Sequence, residues 1–240
     1  MHQDRDECDI TIESYDAGIG DYLANTARLT ESLRRFLDRF AAALVTGGHV
    51  LELGSGPGWD ADYLESRGLR VERSDATPAF VEWLRVRGHE ARILDARDVD
   101  YGGPYDGVFA DAVLLHLSRS QAEQALRTAR KATRPGGVLG ITLKEGDGAA
   151  WSTAKLGRPR HFTYWREAEA DAVLSRSGWR TGAIERVVGR GEPWLFAFAS
   201  RHVDDGFGFR GLEQGRIESP VSDMARDLKT QGAVQAGPEG

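Results

Sequence analysis

The chain has 240 residues, of which 40% are hydrophobic and 28% are charged. This balance is typical of a globular protein with its own core, and the length fits one large α/β domain with a small appendage. The formal net charge of -6 argues against a large nucleic-acid interface, because phosphate backbones are bound by clustered lysine and arginine side chains.

Cysteine usage and the N-terminal residues bear on the cellular compartment. Cys8 is the one cysteine, so the chain encodes neither an internal disulfide nor a cysteine-rich zinc site. Residues 1–9 are polar and acidic, whereas a secretory signal is basic and then apolar. No later apolar run has the length of a membrane span. We therefore expect a cytoplasmic protein that does not enter a membrane, and the sequence leaves its oligomeric state open.

The first predicted element is an amphipathic helix over residues 21–44. Apolar side chains recur there at steps of three and four residues, and Gly47 and Gly48 end the segment. We expect residues 1–45 to form a helical cap or lid. The short apolar run at residues 49–53 predicts a strand buried in a parallel sheet.

Helices and strands then alternate along the chain. Thr77 and Pro78 predict the start of one helix and Gly88 its end, and Ser118 with Gln121 forms a predicted capping box at the start of another. The predicted helices cover residues 59–67, 78–87, 119–133 and 166–177, and the predicted strands cover residues 69–74, 91–94, 105–110, 138–143, 179–188 and 194–199.

This alternation predicts right-handed β–α–β units and therefore a doubly wound sheet. The last two strands are joined only by the turn at residues 189–191, so they have to pair antiparallel. We expect an α/β fold over residues 46–200, with a seven-stranded, mostly parallel sheet and an antiparallel last strand. Residues 201–240 form a polar C-terminal extension, and we expect its last stretch, 230–240, to be disordered.

A glycine-rich loop, Glu52-Leu53-Gly54-Ser55-Gly56-Pro57-Gly58, follows the first predicted strand. Glycine has no Cβ atom, so the backbone of such a loop can approach a ligand closely. A dinucleotide fingerprint needs a third glycine where Trp59 stands, which disfavours a nicotinamide-dependent oxidoreductase. Glu52 would repel a pyrophosphate but suits a ligand that carries ammonium and sulfonium charges.

Acids also follow the next two predicted strands. Asp75 stands at the distance from the loop at which an acid accepts the ribose hydroxyls of an adenosine, and Asp95 is placed to accept from an adenine amino group. Each acid has a plainer alternative. Glu52 can orient the loop through its backbone amides. Asp75 can serve the turn before Pro78, and Asp95 lies in a polar loop where acids aid solubility.

Between about residue 15 and residue 200 the chain resembles the class I, Rossmann-like S-adenosylmethionine-dependent methyltransferases, particularly the small bacterial enzymes. The loop, the acids after it and the run Val138-Leu139-Gly140-Ile141-Thr142-Leu143-Lys144-Glu145-Gly146 carry the resemblance. It implies S-adenosyl-L-methionine as cofactor, with its methionine part at the loop, its ribose at Asp75 and its adenine at Asp95. The cofactor-binding residues implied in this way are Glu52, Gly54, Ser55, Gly56, Gly58, Asp75, Ala76, Asp95, Ala96 and Ala110.

The methyl acceptor should bind beyond the fourth strand, because ligands of open α/β sheets lie past the carboxyl ends of the strands. His116 stands there, and a neutral imidazole can take a proton from a hydroxyl or amine acceptor. Its alternative is packing beside Leu115 and Leu117. Tyr15 and Tyr22 are candidate substrate contacts, because they lie in a segment that folds over the cofactor in similar enzymes. Their alternative is a staple for the N-terminal helix.

The segment Arg160-His161-Phe162-Thr163-Tyr164-Trp165 combines basic, aromatic and hydroxyl groups after the fifth strand. It suits a wall or lid on the acceptor side, with Arg160 and Tyr164 as candidate substrate contacts. It also suits the start of a helix, with Thr163 as N-cap and the aromatic rings in the core.

Residues that are absent from the sequence narrow the chemistry further. No Asn/Asp-Pro-Pro-Tyr/Phe segment follows the fourth strand, unlike in amino-methylating nucleobase enzymes, and no cysteine near the loop supports pyrimidine C5 methylation. Asp111 has no acidic or asparagine partner where Lys144 and Glu145 stand, so no metal site is predicted. We expect methyl transfer to an O or N atom of a small-molecule acceptor. A cofactor-binding regulatory module without turnover is the alternative, ahead of a nicotinamide-dependent oxidoreductase.

Overall fold

The computed structural model describes residues 5–26, 29–189 and 191–203, so the expectation of disorder at 230–240 lies outside the described residues. Its helices are α1 (Glu7–Ala17), α2 (Ile19–Asn25), α3 (Glu31–Ala42), α4 (Trp59–Ser66), α5 (Pro78–Val86), α6 (Arg119–Ala132) and α7 (Glu167–Arg176), with a 3₁₀ turn at Leu114–His116. Its strands are β1 (His49–Leu53), β2 (Arg70–Asp75), β3 (Ala91–Ile93), β4 (Tyr105–Ala110), β5 (Thr133–Lys144), β6 (Ala149–Ser152), β7 (Arg160–Thr163), β8 (Arg180–Gly189) and β9 (Glu192–Ser200). No helix within these ranges has both the length and the apolar character needed to cross a bilayer.

Seven of the strands form one sheet in the order β3-β2-β1-β4-β5-β9-β8. Strands β3, β2, β1, β4 and β5 pair in parallel, and β9 runs antiparallel to both β5 and β8. The predicted seven-stranded, mostly parallel sheet with an antiparallel last strand is therefore confirmed. The order of connection reverses between β1 and β4, and such a switch point opens a ligand-binding crevice at the carboxyl ends of the strands.

Helices pack against both faces of the sheet, which is why its central strands are apolar. Along β1, Val50 belongs to a buried cluster with Phe40 of α3. The next residue, Leu51, points to the other face and belongs to a cluster with Leu126 of α6. Successive side chains of a strand alternate between faces, so one short apolar strand joins both halves of the core.

The N-terminal helices differ from the prediction. Instead of one helix over residues 21–44, α2 ends at Asn25 and α3 begins at Glu31. Thr30 caps α3, because its Oγ1 accepts from the Leu33 amide at 3.2 Å. The apolar periodicity predicted a helix correctly, but that helix is α3 and does not include the residues of α2.

Helix α1 lies within the expected helical cap, but it was not predicted as a separate helix, although the sequence carries its N-cap residue. The Asp6 carboxylate accepts from the Cys8 amide at 2.8 Å, and Glu7 and Asp9 supply the negative charge that favours a helix N-terminus. Weak amphipathicity hid this helix, since few of its side chains are apolar.

The segment after β5 also departs from the prediction. Strands β6 and β7 form a separate antiparallel hairpin. Thr163 ends β7 and donates its hydroxyl to the Leu117 carbonyl at 2.7 Å, so it is not the N-cap of α7. Strand β5 itself starts before the predicted residue 138, because the backbones of Gly136 and Gly137 pair with Arg201.

Hydrogen bonds join the hairpin to the N-terminal helices. The Ser14 hydroxyl donates to the Pro159 carbonyl at 2.6 Å, and the His161 amide donates to Thr11 Oγ1 at 2.9 Å. These contacts place α1 and β7 against each other beside the carboxyl ends of the central strands, where both line the cavity described below.

The capping box at the start of α6 gives a test of the fold. Ser118 Oγ accepts from the Gln121 amide at 3.3 Å, and Gln121 Oε1 accepts from the Ser118 amide at 2.9 Å. We expect Ser118→Ala to lower the free energy of unfolding by about 1 kcal/mol, measured by urea denaturation, because one amide loses its acceptor. The control Ser175→Ala, at an exposed position of α7, should change it by less than about 0.5 kcal/mol. Equal effects of the two substitutions would contradict the capping role.

Candidate functional site

The glycine-rich loop joins β1 to α4 in a left-handed backbone conformation, with φ of +68° at Gly54, +50° at Gly56 and +89° at Gly58. A Cβ atom at Gly54 would lie 2.4 Å from Val113 Cγ2, and one at Gly58 would lie 2.6 Å from Leu84 Cδ2. At Gly56 nothing lies within 4 Å of that position. The outer two glycines are thus required by close packing, and the middle one leaves room for a ligand against the backbone.

Asp75, the last residue of β2, is buried and holds the loop in place. Its Oδ2 accepts from the Gly56 amide at 2.9 Å, and its Oδ1 accepts from the Thr77 amide at 2.8 Å. Burial raises the pKa of Asp75, although these hydrogen bonds oppose the rise. The Thr77 side chain donates to the carboxylate as well, and because a carboxylate has about four acceptor sites, one of them remains for a further donor on the cavity wall.

Glu52 is buried and contacts the loop through the Ser55 side chain. Its Oε2 has no hydrogen-bond partner among the described residues. Burial raises the pKa of Glu52 to about 8, with the Ser55 hydrogen bond and the charge of Arg73 opposing the rise. The side chain does not line the cavity, so its contact is with the loop.

The raised pKa of Glu52 makes the stability of the ligand-free protein depend on pH. Between the ordinary pKa of 4.5 and the folded value of about 8, the folded state holds a proton that the unfolded state releases. Stability is therefore lost as the pH rises through this range. Glu52→Gln removes the ionisable group. Measured by thermal unfolding, the melting temperature of this variant relative to that of the wild type should therefore be higher at about pH 9 than at about pH 6. Glu82→Gln, at an exposed position of α5, is the control, and a pH-independent difference for Glu52→Gln would contradict the assignment.

Asp95 lines the cavity beside Ala96, but Arg97 contacts both of its carboxylate oxygens. The Asp95–Arg97 contact is 2.5 Å, and the same guanidinium lies 2.7 Å from Asp9 of α1. The acid at the end of β3 therefore also connects the sheet to the N-terminal helix.

Tyr15, His116 and Arg160 form a hydrogen-bonded chain on the opposite wall. His116 Nδ1 lies 2.6 Å from the His161 carbonyl, and His116 Nε2 lies 3.0 Å from the Tyr15 hydroxyl. A carbonyl only accepts, so Nδ1 carries the proton and Nε2 accepts from Tyr15. The Tyr15 oxygen in turn accepts from Arg160 Nη1 at 3.1 Å. Desolvation lowers the pKa of His116 to about 3, with the charges of Arg160 and Lys144 adding to the effect, so the imidazole is neutral.

These groups surround one cavity of about 320 Å³, within the size range of small-molecule sites. It opens at the carboxyl ends of the strands, between the glycine-rich loop and the hairpin. The structure brings most of the predicted site residues together on its wall: Tyr15, Tyr22, Gly54, Ser55, Gly56, Asp75, Ala76, Asp95, Ala96, His116 and Arg160.

Several predicted site residues do not line the cavity. Tyr164 packs on the backbone of Gly146, whose Cβ position would lie 3.1 Å from the ring, and it belongs to the packing of the hairpin. Ala110 is buried within β4. The remaining two are Glu52 and Gly58, which act on the conformation and packing of the loop.

Reasoning from the sequence missed several side chains of the cavity wall, among them Lys144, Trp194 and Cys8, the last of which we expected to lie away from the site. Lys144 is the last residue of β5 and pairs with Trp194 of β9. A lysine directly after an apolar strand was a usable signal, since strand ends face the crevice. Trp194 gave none, because only the insertion of β9 beside β5 brings it there.

Comparison with known proteins identifies the family and the fold. Residues 25–181 match the family model described as a methyltransferase domain, and the chain belongs to that family. Its fold is shared by 1,6-didemethyltoxoflavin-N1-methyltransferase of Burkholderia thailandensis, solved with 1,6-didemethyltoxoflavin and S-adenosylhomocysteine (SAH), at 20% identity and a TM-score of 0.62 over 81% of this chain and 87% of the other. DhpI in complex with SAH is 24% identical with a TM-score of 0.67, over 82% and 98% of the two chains. Magnesium protoporphyrin IX methyltransferase of Synechocystis PCC 6803, with bound S-adenosylmethionine, is 16% identical with a TM-score of 0.62, over 84% and 100%. No curated protein matches the sequence.

The protein is a class I S-adenosylmethionine-dependent methyltransferase, and S-adenosyl-L-methionine is its cofactor. The predicted class, enzyme type and cofactor are thus confirmed. The site fits this cofactor, because Gly56 leaves space against the backbone and Asp75 offers a buried carboxylate at the same edge. The alternative of a nicotinamide-dependent oxidoreductase fails, because the chain belongs to a methyltransferase family.

Proposed function

We propose that the protein transfers the methyl group of S-adenosylmethionine to an oxygen or nitrogen atom of a small-molecule acceptor. The observation that carries this proposal is the cavity itself, which runs from the glycine-rich loop to an aromatic and basic wall and is covered by α1 and the hairpin. Its volume of about 320 Å³ suits small molecules. The toxoflavin and protoporphyrin enzymes of the same fold, named for small acceptors, support it.

The proposal is tested by measuring SAH release with a panel of small alcohols, phenols, amines and carboxylic acids, and by mass spectrometry of the methylated product. The expected result is acceptor-dependent SAH release with a gain of one methyl group on an O or N atom. Binding of SAH without methyl release to any acceptor, including a metabolite extract, would favour the regulatory alternative. Methylation of a protein or nucleic acid instead would overturn the small-molecule assignment.

For the cofactor, we propose that the loop at Gly54 to Gly56 holds the methionine part and that Asp75 accepts the ribose hydroxyls. The remaining acceptor capacity of Asp75 supports this role, as does its position on the cavity wall. Asp95 and Ala96 would bound the adenine. When bound, the cofactor supplies an electrophilic methyl group, and the contribution of the protein is alignment and exclusion of water.

We expect Asp75→Ala to weaken SAH binding by about 10- to 100-fold, because hydrogen bonds to a charged group are worth about 1.5–3 kcal/mol. Methyl transfer at saturating cofactor should fall less than the affinity. Isothermal titration calorimetry measures the binding, with Asp171→Ala, an exposed acid of α7, as control. Unchanged affinity in Asp75→Ala would contradict the ribose contact.

His116 is proposed to position Tyr15. A general base works best with a pKa near the operating pH, whereas that of His116 is about 3 and its Nε2 is already engaged by the Tyr15 hydroxyl. Burial also raises the pKa of Tyr15, which keeps the phenol protonated as the donor. The histidine base remains a prediction from the sequence, and the geometry favours the positioning role.

The two roles of His116 predict different kinetics with an acceptor identified by the panel. For positioning, His116→Ala should raise the KM of the acceptor and leave the shape of the pH–rate profile unchanged. His116→Gln should restore part of the loss, since its amide oxygen can still accept from Tyr15. Loss of an acidic limb together with a fall in kcat of about 10²–10⁴ would instead establish a general base.

A further inference from the structure

Arg160 is a buried cation that has no counter-ion among the described residues. The residue is 5% exposed, and its Nε is buried without a partner. Its Nη1 donates to the Tyr15 hydroxyl and its Nη2 to the Ala154 carbonyl, both of which are neutral. Within the described ranges it forms no ion pair. Buried charges in proteins are normally paired, because removing them from water is costly.

Lys144 places a second cation on the same wall. Its side chain is 12% exposed, and its Nζ lies 2.7 Å from Oε2 of Glu192, whose side chain is 54% exposed. An ion pair with so exposed a partner contributes little, so Glu192 is easily displaced by a better counter-ion.

Both cations lie against one aromatic ring, that of Phe162. Lys144 Nζ is 4.3 Å from the ring centroid, and Arg160 Cζ is 5.1 Å from it. Cation–π contacts of this kind are worth about 0.5–2 kcal/mol and do not neutralise the charge. The His116 imidazole packs against the same ring, with its centroid 4.7 Å from that of Phe162. The charges of Arg160 and Lys144 both lower the pKa of His116, so their positive potential extends across this end of the cavity.

Charges of both signs line the cavity, but they come from different parts of the fold. At the hairpin end lie the cations Lys144, Lys155 and Arg160, with Glu192 paired to Lys144, whereas the acids Asp60, Asp75, Asp95 and Asp111 come from α4 and from the carboxyl ends of β2, β3 and β4. We propose that this basic end binds an anionic group of the methyl acceptor, a carboxylate or a comparably acidic oxygen. The proposal rests on the small-molecule methyl transfer proposed above and names the substrate class of that site.

An anionic acceptor also agrees with the lack of a competent base at His116. An oxygen that arrives ionised forms the new O–C bond with its own lone pair, and the electrons of the broken C–S bond remain on sulfur. The negative charge of the acceptor and the positive charge of the sulfonium cancel. No proton has to be removed, so the surrounding residues need only hold the anion in line.

The test compares three aromatic probes of similar shape, 2-naphthoate, 2-naphthamide and 2-naphthylmethylamine. Their binding is measured by calorimetry, with the ligand-free protein and with the SAH-loaded protein. We expect the anion to bind at least about tenfold more tightly than the amide and the amine. Equal or tighter binding of the amide or amine, or no binding of any probe at millimolar concentration, would overturn the proposal.

Matched variants localise the preference. Lys144→Met and Arg160→Met should each reduce the ratio of naphthoate to naphthamide affinity by about tenfold, while Lys131→Met, at an exposed position of α6, should leave it unchanged. Lys144→Met suffices if Arg160→Met does not fold. An unchanged ratio in Lys144→Met and in any folded Arg160 variant would refute the site.

The carboxylate of the cofactor is the competing source of negative charge. If the variants weaken SAH but not 5′-methylthioadenosine, which lacks the amino-acid part, and keep the preference for naphthoate, the cations serve the cofactor and the proposal is wrong. The acceptor panel separates the two proposals. Acceptors without an acidic group would overturn this one alone, whereas a naphthoate preference without methyl transfer to any acceptor would overturn the proposed function alone.

Discussion

The hydrogen bond from the Gly56 amide to the Asp75 carboxylate is the contact on which the rest of the site depends. It joins the loop after β1 to the end of β2, beside the point where the strand order reverses. The loop can take this path because Gly54 and Gly58 tolerate positive φ and have no Cβ to collide with Val113 or Leu84. The fixed backbone leaves open space at Gly56, so the geometry is set before any ligand binds.

A second constraint comes from the cover over the cavity. Tyr15 of α1 contacts both His116, beyond β4, and Arg160 of β7. Three distant parts of the chain therefore meet in one chain of hydrogen bonds, which is oriented because the His161 carbonyl fixes the tautomer of His116. The Ser14 contact to the hairpin keeps the two covering segments together. Such an arrangement excludes water from the end of the cavity where the acceptor is proposed to bind.

The distribution of charge gives the cavity a direction. Most of its acids lie on α4 or at the carboxyl ends of β2, β3 and β4, and its lysine and arginine side chains come from the end of β5 and from the hairpin of β6 and β7. The cofactor contacts proposed at Asp75 and Asp95 would leave the hairpin end of the cavity to the acceptor. Desolvation makes His116 weakly basic, and the two cations that lie against the Phe162 ring lower its pKa further.

The sequence by itself determined the alternating elements, the loop and the placement of Asp75, because periodicity, capping residues and glycine spacing act over a few neighbouring residues. It also determined the antiparallel last pair, since the turn between β8 and β9 is short. Only the tertiary structure decided that β9 lies beside β5 and brings Trp194 next to Lys144, and that α1 and the hairpin bring Tyr15 to Arg160. These contacts join residues far apart in the chain, and no local pattern encodes the strand order or the hydrogen bonds between distant segments that create them.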